Sequence, residues 1–251
     1  MTYEVRDSVA TLRLNRPDAL NAINSALRES LLGALQRAER DPAVKVVLLG
    51  ATGRGFCAGA DLMEEQGADF SVEEELLQGY RPIFECIGRM PQPVIGVAPG
   101  VAAGIGAALL MACDLVIMAD QARLYMAFSH VGLVPDGGAT WLLYRHLGYQ
   151  RAFALIVEGG SLGAEECRAA GIANKIVAAE ALDEAANAWA QELATRSPVA
   201  SAEAKRLLRT AATHSYAEIF EQEAAAQHRC INSEQSRAAV AAFKDRARAR
   251  Q

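Results

Sequence analysis

Between Met90 and Cys113 the chain has no charged residue, over a length that is sufficient to cross a lipid bilayer as one helix. The stretch is interrupted by four glycines and by Pro99, and it is poor in Leu, Ile and Phe. A spanning helix would be continuous and richer in these large apolar residues. The sequence therefore predicts a buried strand, a turn and a helix here, and no membrane association.

The composition is that of a folded globular protein. Of the 251 residues, 51% are hydrophobic and 22% are charged, which is far from the low-hydropathy, high-charge range of disordered chains. The length allows one large domain, or one domain with an appended helical bundle. The net charge of −5 gives no overall positive field that would hold nucleic acid or an anionic membrane surface. We therefore expect any anionic ligand to be held locally.

Five cysteines are scattered along the chain without C-x-x-C spacing, at Cys57, Cys86, Cys113, Cys167 and Cys230. An odd number in a chain of this length argues against a disulfide framework and favours a reducing compartment, such as the cytosol. The pattern gives no support for a metal site. The first residues, MTYEVRDSVATLRLN, alternate and carry charges, so we expect a cytoplasmic protein without a secretory signal.

Hydrophobic periodicity predicts an α/β fold. Alternation and short apolar runs predict strands at residues 2–5, 9–14, 44–49, 93–98, 115–118 and 175–177. Helical spacing predicts helices at residues 25–40, 71–90, 104–111, 150–158, 163–170, 182–195 and 199–250. We expect the first two strands to be antiparallel, with Asp7 and Ser8 in the turn, and Ser25 to cap the first helix. Successive β and α units predict parallel pairing with helices packed outside.

The two parts of the chain differ in composition. Residues 1–195 carry the alternating β and α units, whereas residues 196–251 are alanine-rich and helical. Such a helical region often packs against a neighbouring subunit. The sequence has no linker between the two parts, so we expect one structural unit.

Two glycine-rich segments can offer backbone N–H groups to a ligand. Phe56–Leu62 has small residues at its centre, which lets a ligand approach the main chain closely. Gly100–Gly106 precedes a predicted helix, so its last residues present free N–H groups at the positive end of the helix dipole. That arrangement suits a developing oxyanion, although glycines also serve tight packing. A nucleotide fingerprint fails, because Leu109 stands where it requires a third glycine.

Asp136 is a candidate acid, because it follows Pro135 and precedes two glycines on a predicted turn. A solvated turn aspartate is an equally good interpretation of this residue alone. Gly159–Gly163 matches the G-x-S-x-G pattern of serine hydrolases, but a helix is predicted before it rather than the strand of a nucleophile elbow. We expect Ser161 in a turn or at a helix start, and we assign no role to His130 or His146.

Four segments in order resemble the crotonase family, the enoyl-CoA hydratase/isomerase superfamily. These segments are Leu20–Asn24, Phe56–Leu62, Gly100–Asp114 and Phe128–Thr140. The resemblance covers nearly the whole chain. It implies a crotonase-like spiral of ββα units with a C-terminal helical trimerisation region, assembled as a homotrimer or hexamer. It also implies an acyl-CoA thioester substrate and no separate cofactor, since coenzyme A is part of the substrate.

The resemblance assigns the oxyanion donors to the backbone N–H groups of Ala58 and Ile105. Hydratases of this family carry two glutamates at positions that here hold Ala108 and Phe128. The isomerase branch places a single acid directly after the proline of the turn, and this chain has Asp136 there. The segment around it looks most like that of the phenylacetate-pathway isomerases.

The resemblance also implies substrate-binding positions, namely Ala22, Arg28, Ala60, Asp61, Leu62, Gly106, Phe128 and Lys244. The adenine is expected against the backbone of residues 60–62. Arg28, Lys244, Arg246 and Arg248 can reach a phosphate, although the pattern favours a solvated basic face over a phosphate clamp for these four.

We therefore expect an acyl-CoA isomerase that shifts a double bond from the 3-enoyl to the 2-enoyl position, with Asp136 as the proton carrier. A hydratase or a ring-isomerising acyl-CoA enzyme is the first alternative. A non-catalytic acyl-CoA-binding subunit is the second.

Overall fold

The computed structural model describes residues 1–65, 67 and 69–248, without the side chains of residues 239 and 244–248. The expected phosphate contacts of Lys244, Arg246 and Arg248 therefore lie outside the described residues.

The chain alternates strands and helices up to residue 177 and is helical from there to the end of the described residues. The strands are β1 (Thr2–Arg6), β2 (Val9–Leu14), β3 (Val46–Ala51), β4 (Val94–Ala98), β5 (Ala102–Ala103), β6 (Leu115–Ala119), β7 (Arg123–Tyr125), β8 (Ser161–Gly163) and β9 (Lys175–Val177). The α-helices are α1 (Ser25–Arg40), α2 (Val72–Glu74), α3 (Arg81–Arg89), α4 (Ile105–Ala112), α5 (Ala139–Leu147), α6 (Tyr149–Val157), α7 (Ala164–Ala169), α8 (Leu182–Ala194), α9 (Pro198–Thr210), α10 (Tyr216–Ile231) and α11 (Glu234–Arg248). A π-helical segment, Glu75–Tyr80, joins α2 to α3.

The larger sheet has the strand order β1-β2-β3-β4-β6-β9. Its first two strands are antiparallel and the other pairs are parallel, as the sequence predicts. Asp7 and Ser8 both have positive φ, at 49° and 64°, which is the backbone of the two-residue hairpin turn that matches strand twist. Every residue of β3 and β4 is buried, because helices cover both faces of the sheet.

The smaller sheet has the order β5-β7-β8, and the sequence does not predict it. Its strands have only two or three residues each, too few for a period-2 pattern. With these strands included, two consecutive units follow one plan: a strand in the larger sheet, a strand in the smaller sheet and then a helix. These units are β4-β5-α4 and β6-β7-α5.

The uncharged stretch from Met90 to Cys113 forms β4, β5 and α4, as expected. Nearly all of its large side chains are buried, and every residue of α4 is buried. Within the described part of the chain, no helix is both long and apolar enough to cross a membrane.

Three of the helix predictions were wrong in detail. The helix predicted at residues 199–250 is divided into α9, α10 and α11. Asn24 rather than Ser25 caps α1, because the Asn24 side chain accepts the N–H of Leu27 at 3.0 Å while Ser25 already lies in the helix. The helix predicted at residues 71–90 begins after Ser71, whose hydroxyl accepts the N–H of Glu74, and its middle is π-helical rather than α-helical. The wider π turn adds one residue without breaking the helix, which periodicity alone does not reveal.

A buried ion pair attaches the C-terminal helices to the larger sheet. Lys205 in α9 lies 2.7 Å from a carboxylate oxygen of Asp114, and it also donates to the carbonyl of Gln92. The other Asp114 oxygen binds Arg209 at 2.7 Å, and the carboxylate also accepts the N–H of Val94, the first residue of β4. Asp114 therefore joins the start of β4 to α9.

Candidate active site

The Leu20–Asn24 segment organises the site through two residues with left-handed backbone. Leu20 and Asn21 have φ of 49° and 57°, a conformation that costs energy for residues other than glycine. Asn21 is fully buried, and its amide donates to the carbonyls of Thr52 and Gly55 at 2.9 and 3.0 Å. Its side-chain oxygen accepts the N–H of Arg16. These bonds hold the loop that leads into Phe56–Leu62.

The same segment determines which N–H groups of Phe56–Leu62 are free. The Ala58 N–H donates to the carbonyl of Leu20 at 3.0 Å, so the expected donor is already engaged. Ile23 donates to the Gly59 carbonyl and accepts the N–H of Asp61, as in a parallel bridge opposite Ala60. Backbone groups alternate in direction along an extended segment, so the N–H of Ala60 points away from Ile23. Ala60 has no acceptor within the described structure and therefore replaces Ala58 as the free donor.

The second donor lies at the start of α4. The N–H groups of Ala107 and Ala108 donate to the carbonyl of Gly104, whereas those of Ile105 and Gly106 have no acceptor among the described residues. This is the expected state of the first residues of a helix. Gly104 has a φ of 54°, which turns the chain sharply from β5 into α4. The Ile105 N–H is thus free, as an oxyanion donor requires.

The two free N–H groups are held together by direct contact between main chains. The Ala103 N–H donates to the Cys57 carbonyl at 2.8 Å. A Cβ added to Gly104 would lie only 3.8 Å from the Cα of Gly59, so the two glycines pack against each other. Each of these glycines immediately precedes one of the donors, Ala60 or Ile105. The contact thus brings the two segments that carry the free N–H groups together, as a site for an oxyanion requires.

Gly106 is needed for this packing. A Cβ at Gly106 would lie 2.6 Å from the Cys57 sulfur and 2.7 Å from the Cys57 carbonyl oxygen. Cys57 is fully buried, and burial raises the pKa of its thiol to about 12. The thiol is therefore neutral and acts as packing between the two donor segments.

Asp136 lies on a turn that packs against the start of α4. The next residue, Gly137, has a φ of 58°, and a Cβ there would lie 2.9 Å from the Ala108 Cβ and 3.0 Å from the Ile105 side chain. One carboxyl oxygen of Asp136 is buried without a hydrogen-bond partner. Burial raises the pKa of Asp136 to about 6, and the negative charge of Glu75 adds to the increase. The carboxyl group is thus kept close to the neutral range in which proton transfer both ways is favourable.

Ala108 and Phe128 are both buried and both near the donors. Ala108 is covered by the turn of Gly137, and the Phe128 ring lies 3.8 Å from a Cβ added to Gly104. The site thus has apolar side chains at both positions that carry glutamate in the hydratases that the sequence resembles. Asp136, on the turn that covers Ala108, instead brings a carboxylate next to α4.

The family model for enoyl-CoA hydratase/isomerase matches residues 4–250. The chain belongs to the enoyl-CoA hydratase/isomerase family. It is 40% identical over 196 residues to 1,2-epoxyphenylacetyl-CoA isomerase of Escherichia coli K12, covering 76% of this chain and 75% of the relative. It is 37% identical over 188 residues to trans-2-decenoyl-[acyl-carrier-protein] isomerase of Streptococcus mutans, covering 72% and 70%. An enoyl-CoA hydratase structure from Polaromonas sp. JS666 superposes with a TM-score of 0.91 at 29% identity, covering 98% and 96% of the two chains.

Membership of the enoyl-CoA hydratase/isomerase family agrees with the crotonase fold expected from the sequence, and it makes an acyl-CoA thioester the expected substrate. The relatives include isomerases and hydratases.

In this hydratase/isomerase family member, Asp61 forms an ion pair with Arg16. Its carboxylate lies 2.7 Å from Arg16, which also donates to the carbonyl of Ala22. The hydrogen bond from Arg16 lowers the pKa of Asp61, with help from the Met63 N–H. Asp61 and Ala22 are thus joined by Arg16, while the Leu62 side chain beside them is 75% exposed.

Arg28 is neither free nor on a solvated face. Its guanidinium pairs with Glu75 of the π-helical segment and lies 4.9 Å from the centre of the Tyr80 ring. Gly79 makes room for it, since a Cβ there would lie 2.7 Å from Nε of Arg28. The contacts that hold Arg28 come from a π turn that the sequence pattern does not reveal.

Ser161 is the first residue of β8 and follows helix α6, so the expectation of a turn or helix start was wrong. A nucleophile elbow places its serine between a strand and the following helix, and this arrangement does not occur at Ser161. The match to G-x-S-x-G is therefore coincidental.

Proposed function

We propose that this protein isomerises acyl-CoA thioesters by moving a carbon–carbon double bond from the 3,4 to the 2,3 position. The observation that carries the proposal is the buried, unpaired carboxyl oxygen of Asp136, on a turn that packs against the Ile105 side chain in the first turn of α4, where the Ile105 N–H is free. A carboxyl group with a pKa of about 6 can accept a proton and return it at similar cost. Similarity to a decenoyl isomerase and an epoxyphenylacetyl-CoA isomerase supports the same class of chemistry.

In the proposed reaction, the thioester oxygen lies between the N–H groups of Ala60 and Ile105. The Asp136 carboxylate takes a proton from C2, and the electrons of that C–H bond form a dienolate with its negative charge on the thioester oxygen. The protonated Asp136 then delivers the proton to C4, the C2–C3 double bond forms and the carbonyl is restored. Each backbone donor is expected to contribute about 3 to 4 kcal/mol to stabilising the oxyanion.

Hydration is not favoured by this site. It needs one group to activate water and another to protonate carbon, and the positions of Ala108 and Phe128 supply no carboxylate. A ring-isomerising reaction is the second candidate, because the E. coli relative with 40% identity is an epoxyphenylacetyl-CoA isomerase. It would use the same two donors and the same acid.

Purified protein should be assayed with 3-enoyl-CoA, 2-enoyl-CoA and an epoxyphenylacetyl-CoA. Isomerisation of the first without hydration of the second is the expected result. Asp136→Asn should reduce isomerisation by about 10²-fold or more while binding of a saturated acyl-CoA is retained. Hydration of 2-enoyl-CoA at a comparable rate would refute the proposal. Binding without any turnover would indicate a non-catalytic acyl-CoA-binding subunit.

We also propose that the adenine of coenzyme A lies against the backbone of residues 60–62, and that the protein is a cytoplasmic homotrimer or hexamer of such subunits. The exposed side chain of Leu62 supports the adenine position, and the five unpaired cysteines support a reducing compartment such as the cytoplasm.

A further inference from the structure

A cavity of about 330 Å³ opens beside the Asp136 turn. One wall is formed by the turn residues Gly137 and Gly138, and the other by the helix that runs from the π-helical segment into α3. Since Gly137 directly follows Asp136, the cavity begins where the reacting carbons would be placed. Anything attached beyond those carbons must pass along or into it.

The cavity wall is largely apolar. Leu76, Leu77 and Phe84 contribute hydrocarbon side chains. Tyr80 adds an aromatic ring to the wall, and its hydroxyl already donates a hydrogen bond to the carbonyl of Ile23 at 3.3 Å. A polar substituent on an acyl group would therefore lose water here without gaining a free partner from these side chains.

The two glycines give the cavity its room. Gly137 and Gly138 have φ of 58° and 80°, a conformation that side chains disfavour. A Cβ at Gly137 would come 2.8 Å from the Phe84 ring, whereas one at Gly138 would meet no atom within 4 Å. The open space lies on the Gly138 side, and the Phe84 ring closes the side nearest to α4.

The charge at the cavity edge is balanced. Arg81 lines the cavity, and its guanidinium lies 3.2 Å from Glu85 one turn further along the helix. Both side chains are more than half exposed. A carboxylate at the end of an acyl chain would meet a positive and a negative group together, so the pair offers it little net attraction.

We propose that this cavity receives the acyl group beyond C4, and that the substrates are acyl-CoAs whose distal part is an uncharged hydrocarbon at least as large as a six-carbon ring. An apolar cavity of about 150 Å³ is sufficient to bind benzene, so about 330 Å³ holds such a group with space to spare. The inference rests on the proposed position of the reacting carbons beside Asp136. It excludes chains that end in a carboxylate.

Binding of non-reacting thioesters tests the inference separately from catalysis. Butyryl-, octanoyl-, phenylacetyl- and adipoyl-CoA are titrated into the full-length protein by calorimetry. Octanoyl- and phenylacetyl-CoA should bind at least tenfold more tightly than butyryl-CoA, and adipoyl-CoA should bind no more tightly than butyryl-CoA. Equal affinities for all four, or tightest binding of adipoyl-CoA, would overturn the inference.

A variant that fills the cavity tests whether the acyl group binds there. Leu77 is 41% exposed, so Leu77→Trp can occupy the cavity without disturbing the core. This variant should lose at least tenfold in octanoyl-CoA affinity and keep its butyryl-CoA affinity. Val72→Trp, on the same helix but outside the cavity wall, is the matched control and should change neither. If Leu77→Trp leaves octanoyl-CoA binding unchanged, the acyl group lies elsewhere.

The two proposals fail in different ways. If the affinities follow the expected order but no 3-enoyl-CoA is isomerised, the proposed reaction is wrong and the cavity assignment stands. If short 3-enoyl-CoAs are isomerised and the affinities do not depend on chain length, the cavity assignment is wrong and the reaction stands.

Discussion

At the scale of single residues, Asp136 combines features that an ordinary turn aspartate lacks. It is half-buried, one of its oxygens is buried without a partner, and the apolar groups of Ile105 and Ala108 lie against the following glycine. A carboxylate normally avoids such surroundings, because the charged form loses hydration. The cost is accepted where it prepares a group for proton transfer, and this site fits that pattern.

The first prediction concerns pH. Because the proposed base must be ionised and burial raises its pKa to about 6, kcat/KM for a 3-enoyl-CoA should fall below that pH, by about tenfold for each further pH unit. Rates measured between pH 4.5 and 8.5 with matched ionic strength test this. A profile that stays flat down to pH 4.5 would show that Asp136 is not the base.

The second prediction concerns stability. The folded protein holds the Asp136 proton more tightly than the unfolded chain, so stability falls as the pH rises from about 4 to about 6 and the loss is complete above that range. Asp136→Asn removes the charge and should raise the free energy of unfolding at pH 7.5 by about 2 to 3 kcal/mol. The difference should vanish near pH 3.5 in urea unfolding experiments. A less stable variant at pH 7.5 would contradict the assigned environment.

The third prediction separates Ala60 from Ala58. Replacing one backbone amide by an ester removes a single N–H and leaves the side chain unchanged. An ester in place of the Ala60 amide should reduce turnover by about 10²- to 10³-fold, the usual effect of losing one oxyanion donor. An ester in place of the Ala58 amide removes only the bond to Leu20, so it should lower the melting temperature and largely preserve turnover. The reverse pattern would restore Ala58 as the donor.

At the scale of elements, the start of α4 has two functions. Its first turn supplies a free N–H, and its side chains face the turn that carries Asp136. Helix first turns leave their N–H groups unpaired in any case, so an oxyanion can bind there without breaking a hydrogen bond. The sharp turn at Gly104 allows β5 to end and the helix to begin next to Gly59.

The fourth prediction uses this position in the helix. Proline is well tolerated as the first residue of a helix, and Ile105→Pro removes the N–H of that residue. Turnover should fall by about 10²- to 10³-fold. Ile105→Ala keeps the N–H and is the matched control for the lost side chain. If both variants lose activity equally, packing against Gly137 matters and the N–H does not.

At the scale of the whole molecule, the exposed apolar side chains of the C-terminal helices support the proposed homotrimer or hexamer. Tyr216 and Phe220 in α10 are 84% and 60% exposed, with ring centres 6.2 Å apart. Contiguous apolar groups of this kind mark contact surfaces between proteins. Arg209 and Lys205 hold the preceding helix α9 to Asp114.

The fifth prediction is that light scattering will give three or six times the 26.8 kDa mass of the chain. Phe220→Asp places a charge in the expected interface and should shift the protein to smaller species. Phe220→Leu keeps the apolar character and should leave the mass unchanged. A monomeric parent protein would refute the homotrimer and the hexamer together.

Most of the larger sheet and the long helices could be predicted from the sequence. The runs in β3 and β4, the alternation in β2 and the spacing in α1 reflect burial directly, and their bounds differ from the prediction by two residues at most. The smaller sheet was missed because β5, β7 and β8 depend on distant partners rather than on local pattern. The π turn at Glu75–Tyr80 has the composition of an α-helix, so nothing local distinguishes it.

The residues of the candidate site could be predicted from the sequence, but the hydrogen bonds of its backbone could not. Asp136, Ile105 and the segment around Ala60 were found from residue type and resemblance. Which amide is free depends on Leu20 and Ile23, which lie far away in sequence and whose carbonyls accept the Ala58 and Asp61 N–H groups. Likewise, the partner of Arg28 is Glu75, a residue that only the fold brings to it.

The contact between Gly59 and Gly104 has a consequence for evolution. Both proposed donors belong to the main chain, so point mutations in the surrounding side chains can change the acid, the acyl pocket and the surface while the enolate-binding geometry is inherited unchanged. In this chain Ala108 and Phe128 carry no acid, whereas Asp136 places one on a turn that packs against α4. Diversification of reactions in such a lineage is then a matter of relocating one proton carrier around a fixed anion site.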